Sequence, residues 1–221
     1  MTRFQDKVVL IRGAGKGLGR KLAVGFARRG ANIAASDVSP LHLTQTVNII
    51  RDGSGTCLPY DHDMSKKHFI QGTIEDIRSK LGIPDVLILS RFLNPTGSLE
   101  HLDDWDWQHS LDVNLSGSFY TIQAFLRLAG QSPSRKHILS ILPDQVHPGM
   151  EIMKYGLLGL TAAAAREGAE RNATANAIAS SGFEEDALLQ TIYSLCAGSP
   201  PSPSGELITS GEPYPLHNIP F

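Results

Sequence analysis

A glycine-rich loop near the N-terminus constrains the fold of this chain more than any other feature. The loop holds Gly13, Gly15, Gly17 and Gly19, and it follows a short apolar run, residues 8–11, that is typical of a buried parallel strand. A glycine turn lets the backbone approach a phosphate, and the helix that it opens presents free N–H groups and the positive end of its dipole. A strand, a glycine turn and a helix in this order indicate a nucleotide-binding α/β unit.

An acidic residue at the end of the second predicted strand, residues 33–35, points to a dinucleotide. Asp37 follows this strand, where its carboxylate can accept hydrogen bonds from both ribose hydroxyls of adenosine. The same carboxylate repels a 2′-phosphate, so the sequence favours NAD over NADP, although Lys16 is a weaker, opposing phosphate partner. The predicted cofactor-binding residues are Gly13, Gly15, Lys16, Gly17, Leu18, Gly19 and Asp37.

Apolar runs and helical stretches alternate along the rest of the chain. Helices are predicted over 17–29, from Ser39 and Pro40 onward, and over 65–80, 102–129 and 150–171. Further strands are predicted over 56–58, 86–89, 138–142, 175–179 and 207–209. This alternation predicts one domain over residues 1–221, a Rossmann-type doubly wound parallel α/β sheet of about seven strands with helices on both faces. The last stretch, 213–221, holds three prolines and is expected to be irregular.

Composition argues against several classes of function. The net charge of −2 and the pI near 6.4 disfavour a large basic surface for nucleic acid or anionic lipid. No stretch approaches the roughly 18 apolar residues that span a bilayer, and the N-terminus lacks the apolar core of a signal peptide. Cys57 and Cys196 do not make a disulfide framework, and the eight histidines lack metal-ligand spacing. We expect a cytoplasmic protein without a metal site.

Two segments beside the predicted crevice resemble the short-chain dehydrogenase/reductase family, and the resemblance extends over about residues 4–211. The family's glycine pattern is Thr-Gly-x-x-x-Gly-x-Gly, and Arg12 stands here in place of the threonine. Asp63 and Met64 resemble the family's Asp-Val pair, whose aspartate lies against the adenine. The resemblance therefore adds both residues to the expected cofactor-binding set.

The expected catalytic residues come from the same resemblance. Asn114, nine residues after Trp105, resembles the active-site asparagine that holds a water in the proton relay. The segment Lys154-x4-Gly159-Leu160-Thr161 resembles the helix that carries the catalytic lysine. The resemblance thus implies catalytic roles for Asn114 and Lys154.

The chain departs from the family at its proton chemistry. The ungapped helix match places Met150 where the catalytic tyrosine stands, and a thioether has no proton to give. Tyr155 points about 100° away from Lys154 around the helix, so we expect a packing or surface role for it. Leu142 and Pro143 stand at the two serine positions. Ser140, two residues earlier, is a poor substitute.

Two further departures concern the ligands. The family's Asn-Asn-Ala-Gly segment after the fourth strand becomes Leu89-Ser90-Arg91-Phe92. We expect the bulky Arg91 and Phe92 to fill the space beside the nicotinamide ribose. Residues 183–204 replace a longer segment that carries the family's substrate lid, which predicts a poorly enclosed substrate.

Three functions are compatible with these observations. The favoured one is a catalytically inactive subunit of a homo- or heteromeric dehydrogenase complex, which pairs through the helices at 102–129 and 150–171 with a second copy or an active family member. The alternative is an NAD-dependent oxidoreductase for an alcohol or carbonyl, in which Asp144, His147 or Glu151 replaces the lost acid. The third is a dinucleotide-sensing regulator.

Overall fold

The computed structural model describes residues 3–95, 97–142, 148–197, 203–211 and 213–216. The strands are β1 (Val8–Arg12), β2 (Asn32–Ser36), β3 (Cys57–Tyr60), β4 (Val86–Leu89), β5 (Lys136–Leu142), β6 (Ala173–Ala179), β7 (Glu206–Ile208) and β8 (Tyr214–Pro215). The helices are α1 (Gly17–Ala27), α2 (Pro40–Asp52), α3 (Lys67–Lys80), α4 (Asp104–Leu111), α5 (Gly117–Ala129), α6 (Pro148–Ala169) and α7 (Glu185–Cys196).

All of these strands form one sheet in the order β3-β2-β1-β4-β5-β6-β7-β8. The pairs from β3 to β7 are parallel, and β8 adds an antiparallel edge to β7. The chain moves outward from β1 to β3 and then returns to β4 on the other side of β1. Ligands of doubly wound sheets bind at this switch point, outside the carboxyl ends of β1 and β4. The Rossmann-type fold predicted from the sequence is confirmed.

Helices cover both faces of the sheet because successive residues of the buried strands point to opposite sides. Val9 and Ile11 of β1 pack with α1, α2 and α7, while Val8 and Leu10 pack with α3, α5 and α6. On the first face, Phe26 meets both Phe4 and Tyr193 edge to face, each with ring centroids 4.8 Å apart. This packing places the N-terminus of α1 beside the ends of β1 and β4.

Three predictions about the elements need correction. The helix predicted over 102–129 is interrupted by a π turn, Asp112–Ser116, which joins α4 to α5. The end of the chain is not wholly irregular, because β8 lies within 213–221 and makes the sheet one of eight strands. Residues 183–204, the segment expected to form a shortened lid, contain α7, and Leu188 and Ile192 of this helix are buried in the core.

Two kinds of feature do not occur in the described part of the chain. No helix there is long and apolar enough to cross a membrane. No cluster of three or more histidine, cysteine or acidic side chains is arranged there to hold a metal ion.

Candidate active site and nucleotide pocket

The glycine loop turns sharply between β1 and α1. Gly13 has a φ of 91°, a backbone conformation that favours glycine, and its N–H donates to the carbonyl of Ser36 over 2.7 Å. A Cβ on Gly19 would collide with the carbonyl oxygen of Gly13, so the helix approaches the turn only because position 19 has no side chain. The residues from Gly15 to Gly19 form the turn and the start of α1, as predicted.

A cavity of about 270 Å³ lies beside this turn, at the carboxyl ends of β1, β2 and β4. The predicted residues Gly13, Asp37, Asp63 and Met64 line it, and Arg91 joins them. We call this cavity the nucleotide pocket. Partial burial raises the pKa of Asp63, but the Ser65 N–H, which donates over 2.9 Å, and other nearby donors outweigh it and hold this pKa below its ordinary value. The structure therefore unites the residues that the sequence assigned to adenosine.

Asp37 is already engaged within the chain. One carboxylate oxygen accepts from the N–H of Gly15 and the other from the N–H of Ser39, each over 3.0 Å. Nη1 of Arg91 lies 3.5 Å from the second oxygen. The expectation that Arg91 fills the space beside the nicotinamide ribose is therefore wrong. Its Cβ lies against Gly13, and its guanidinium lies beside the carboxylate assigned to the adenosine ribose.

Arg12, at the family's threonine position, lies underneath the pocket and is 2% exposed. Its guanidinium donates to the carbonyl of Val113 over 2.7 Å and to the hydroxyl of Ser118 over 3.1 Å. These bonds connect the end of β1 to the π turn and the start of α5. Burial, followed by the positive charge of Arg91, lowers the pKa of Arg12 to about 10, and Asp63 partly offsets both.

Asn114 lies in the π turn, fully buried, at the position expected for the catalytic asparagine. Its side-chain oxygen accepts from the N–H of Leu93, and its amide nitrogen donates to the carbonyl of Leu93, both over 2.8 Å. Its amide group therefore fixes the loop that follows β4. The Sδ of Met150 lies 3.7 Å from the same amide nitrogen.

Met150 thus occupies a buried position directly beside Asn114. Its side chain has no exposed surface. A thioether sulfur is at most a weak hydrogen-bond acceptor and carries no ionisable proton. Lys154 lies one turn further along α6, partly exposed, and forms no hydrogen bond or ion pair with any described residue. The structure brings Asn114 and Met150 together but leaves Lys154 without a partner among the described residues.

The residues considered as replacements for the family's serine and tyrosine differ in their burial. Ser140 is fully buried, and its hydroxyl lies 2.8 Å from that of Thr161 inside the core. Tyr155 is 46% exposed, in keeping with a surface role. Glu151 is exposed on the first turn of α6. Pro143, Asp144 and His147 lie outside the described residues.

Leu142, which the family resemblance assigns to the first serine position, lies among hydrocarbon side chains. Leu142 is fully buried in an apolar cluster with Leu157, Leu158 and Ala177, and Phe92 packs against the same cluster. Apolar side chains hold neither a substrate oxygen nor a proton in transit. Sequence reasoning missed the ion pair of Arg91 with Asp37, for which the only signal was a bulky side chain at an Ala-Gly position.

Comparisons with known proteins agree with this geometry. The family profile described as Enoyl-(Acyl carrier protein) reductase matches residues 13–193. The 3-oxoacyl-[acyl-carrier-protein] reductase FabG of Thermotoga maritima is 29% identical over 195 residues, which cover 86% of this chain and 79% of that protein. The (2S)-[(R)-hydroxy(phenyl)methyl]succinyl-CoA dehydrogenase subunit BbsD of Thauera aromatica is 28% identical over 183 residues, covering 80% and 73%.

A solved structure extends the similarity to the whole fold. The crystal structure of a short-chain dehydrogenase/reductase from Burkholderia xenovorans superposes with a TM-score of 0.86 at 21% identity, covering 95% of this chain and 96% of that one. At this identity the superposition supports the fold alone. The family profile covers most of the sequence. This chain therefore belongs to the short-chain dehydrogenase/reductase family.

Proposed function

We propose that this chain is a catalytically silent member of the family that serves as a subunit of a homo- or heteromeric dehydrogenase complex. The observation that carries the proposal is the contact of 3.7 Å between Met150 Sδ and the amide nitrogen of Asn114. Reduction of a carbonyl needs a group that gives a proton to the nascent alkoxide. Here a thioether fills the position that the family resemblance assigns to that group.

The surroundings of Met150 support the same conclusion. Leu142 replaces a hydroxyl by a buried isobutyl group, and Phe92 adds an aromatic ring to the same apolar cluster. The side-chain amide of Asn114 is hydrogen-bonded to the backbone N–H and carbonyl of Leu93. This packing stabilises the fold at the site and supplies no described group that moves a proton at the position of Met150.

The faces of α5 and α6 support an oligomeric role. A groove of about 250 Å³ runs between these helices, lined by Phe119, Leu160 and Ala163 among others. Phe119 is 45% exposed, and small side chains such as Ala163 permit close approach of a second helix. A relative of this chain, BbsD, is itself named as a subunit of a dehydrogenase. We propose that the groove receives α5 and α6 of a second copy or of an active family member.

The proposed ligand of the nucleotide pocket is a nicotinamide dinucleotide. The sequence favours NAD on the strength of Asp37, whose carboxylate is the expected partner of the ribose hydroxyls. A second candidate function is a dinucleotide-sensing regulator. It is supported by the cavity of about 270 Å³, which lies beside a site where Met150 stands in place of the family's proton donor. The sensor requires binding of the dinucleotide without turnover by the isolated chain, whereas the silent subunit requires only the absence of turnover.

A turnover assay on the purified chain tests the proposal. Oxidation of NADH and NADPH is followed with acetoacetyl-coenzyme A, and with a panel of ketones and aldehydes, as carbonyl probes. We expect no turnover above the protein-free rate, because Met150 supplies no proton. A Leu142→Ser, Met150→Tyr double variant restores both hydroxyls and is expected to raise the rate above that of the wild type.

A Met150→Leu variant is the matched control, because it changes the side chain without adding a proton. It is expected to match the wild type in both folding and lack of turnover. Turnover by the isolated wild-type chain that persists in Met150→Leu contradicts the proposal. Such a result favours the alternative enzyme, with its acid in the segment before α6.

A further inference from the structure

Two guanidinium groups face the nucleotide pocket. Arg12 enters from β1 and is 2% exposed, while the side chain of Arg91 enters from the end of β4 and is 24% exposed. The two charges are close enough for Arg91 to lower the pKa of Arg12. Their charges balance those of Asp37 and Asp63, which line the same pocket. Two carboxylates alone would repel an anion from the pocket, but the two guanidinium groups offset that repulsion.

Asp37 has little capacity left for a ligand. A carboxylate offers about four acceptor positions on its two oxygens. The N–H groups of Gly15 and Ser39 each take one, and the guanidinium of Arg91 lies beside the oxygen that Ser39 uses. When Arg91 moves away, both backbone bonds remain, so the carboxylate stays satisfied.

The pocket also holds donors without acceptors. Nε of Arg91, Nε of Arg12 and Oγ of Ser36 are buried and have no hydrogen-bond partner within the described part of the chain. Nη1 of Arg91 lies 3.5 Å from Asp37, and the guanidinium donates no hydrogen bond to any residue in the described part of the chain, so its five N–H donors have no acceptor there. Buried donors without partners are costly. These three atoms have almost no accessible surface, but the side chain of Arg91 is 24% exposed, so its guanidinium can offer donors to an acceptor-rich anion.

We propose that Arg91 determines the specificity of this pocket, and that the pocket binds an adenosine whose ribose carries a phosphate, as in the 2′-phosphate of NADP, in preference to an unphosphorylated ribose. On binding, the guanidinium of Arg91 transfers from Asp37 to the phosphate. Guanidinium matches the geometry of phosphate in a bidentate manner and binds it strongly. This assignment reverses the preference for NAD that Asp37 alone indicates. It rests on the proposed function only in treating the crevice as a nucleotide site.

Isothermal titration of four probes tests the assignment. The probes are 2′-AMP, 5′-AMP, NADPH and NADH, of which the two AMP isomers carry the same charge and differ only in the position of the phosphate. Wild-type protein is expected to bind 2′-AMP more tightly than 5′-AMP, and NADPH more tightly than NADH. In Arg91→Ala the affinity for 2′-AMP is expected to fall by about tenfold or more, as for a lost hydrogen bond to a charged group, while that for NADH is kept or rises.

Two other variants make the result specific to Arg91. Arg28→Ala removes the same charge from an exposed position at the end of α1, outside the residues that line the pocket, and is expected to change none of the affinities. Arg91→Gln keeps a long polar side chain and is therefore less prone to a folding defect than Arg91→Ala. It is expected to bind 2′-AMP as weakly as Arg91→Ala does. Circular dichroism verifies that each variant is folded.

Three outcomes overturn the assignment. The first is tighter binding of NADH than of NADPH by the wild type. The second is loss of the 2′-AMP preference in Lys16→Ala but not in Arg91→Ala, which moves the phosphate to the exposed Lys16 in the loop. The third is no binding of any of the four probes, a result that leaves the role as a silent subunit untouched.

Discussion

His137 is a buried histidine on β5, in the interior of the sheet. Its side chain is largely removed from water, and Nδ1 lies 2.9 Å from the hydroxyl of Thr174. Burial, followed by the charge of Arg135, lowers its pKa to about 4. The folded state therefore holds the ring neutral at a pH where the unfolded chain, with a histidine pKa of about 6.5, already binds a proton.

This difference predicts a pH dependence of stability. Between about pH 6.5 and pH 4 the unfolded chain binds more protons, so the free energy of unfolding falls as the pH falls, by up to about 1.4 kcal/mol per pH unit. Urea unfolding at several pH values measures the slope. His137→Gln is expected to reduce it, while His68→Gln, at an exposed position on α3, is expected to leave it unchanged. Equal slopes in both variants contradict the assignment to His137.

The residues of the site differ in how far the sequence predicts them. The sequence predicts that Asp37 follows β2 and Asp63 follows β3, because local motifs determine where the ends of strands lie. It does not show that Arg91 pairs with Asp37, since that contact joins residues 54 positions apart across the crevice. Only the three-dimensional arrangement shows which donors of Arg12 and Arg91 remain unused.

At the scale of elements, α6 offers a direct test of packing. Gly159 and Gly168 lie on this helix, so alanine raises helix propensity at both, by up to about 1 kcal/mol in the helix interior. A Cβ on Gly159 meets nothing within 4 Å, whereas one on Gly168 lies 2.8 Å from the backbone oxygen of Ala173. Gly159→Ala is expected to raise the free energy of unfolding, and Gly168→Ala to lower it by about 1–3 kcal/mol through overpacking.

Thermal unfolding of both variants beside the wild type measures the difference. Propensity favours alanine at both positions, more strongly at Gly159 in the middle of α6 than at Gly168 in its last turn, so only the crowding at Gly168 accounts for opposite signs. A shift of the same sign and size in both variants contradicts the tight approach of α6 to β6 at Gly168. Such a result leaves propensity alone as the cause.

Two elements differ from the prediction for different reasons. Leu188, Ile192 and Cys196 repeat every four residues, which is typical of a helix such as α7, but the family resemblance directs the interpretation of this segment toward a shortened lid. The π turn in the long helix carries no such signal. Arg12, far away in sequence, donates hydrogen bonds to Val113 and Ser118 at this turn, a contact that local periodicity does not show.

At the scale of the whole molecule, the sheet order places the nucleotide pocket at the carboxyl ends of the strands, while α5 and α6 cover one of its faces. A ligand in the pocket and a partner on the outer surface of these helices therefore occupy different parts of the molecule. The two meet at Asn114 and Met150, which belong to the π turn before α5 and the first turn of α6. The proposed interface and the position of Met150 therefore share α6.

The last prediction concerns this outer surface. Phe119 is 45% exposed on α5 and lines the groove toward α6, and burial of an unpaired charge there opposes any partner. We expect the wild-type chain to associate at micromolar concentration, as measured by sedimentation velocity. Phe119→Glu is expected to raise the Kd of this association by about a hundredfold, as for a residue at the centre of an interface. Phe69→Glu adds the same charge to α3, at a side chain 39% exposed that does not line the groove, and is expected to associate as the wild type does. Association that survives Phe119→Glu, or that Phe69→Glu abolishes equally, places the interface elsewhere.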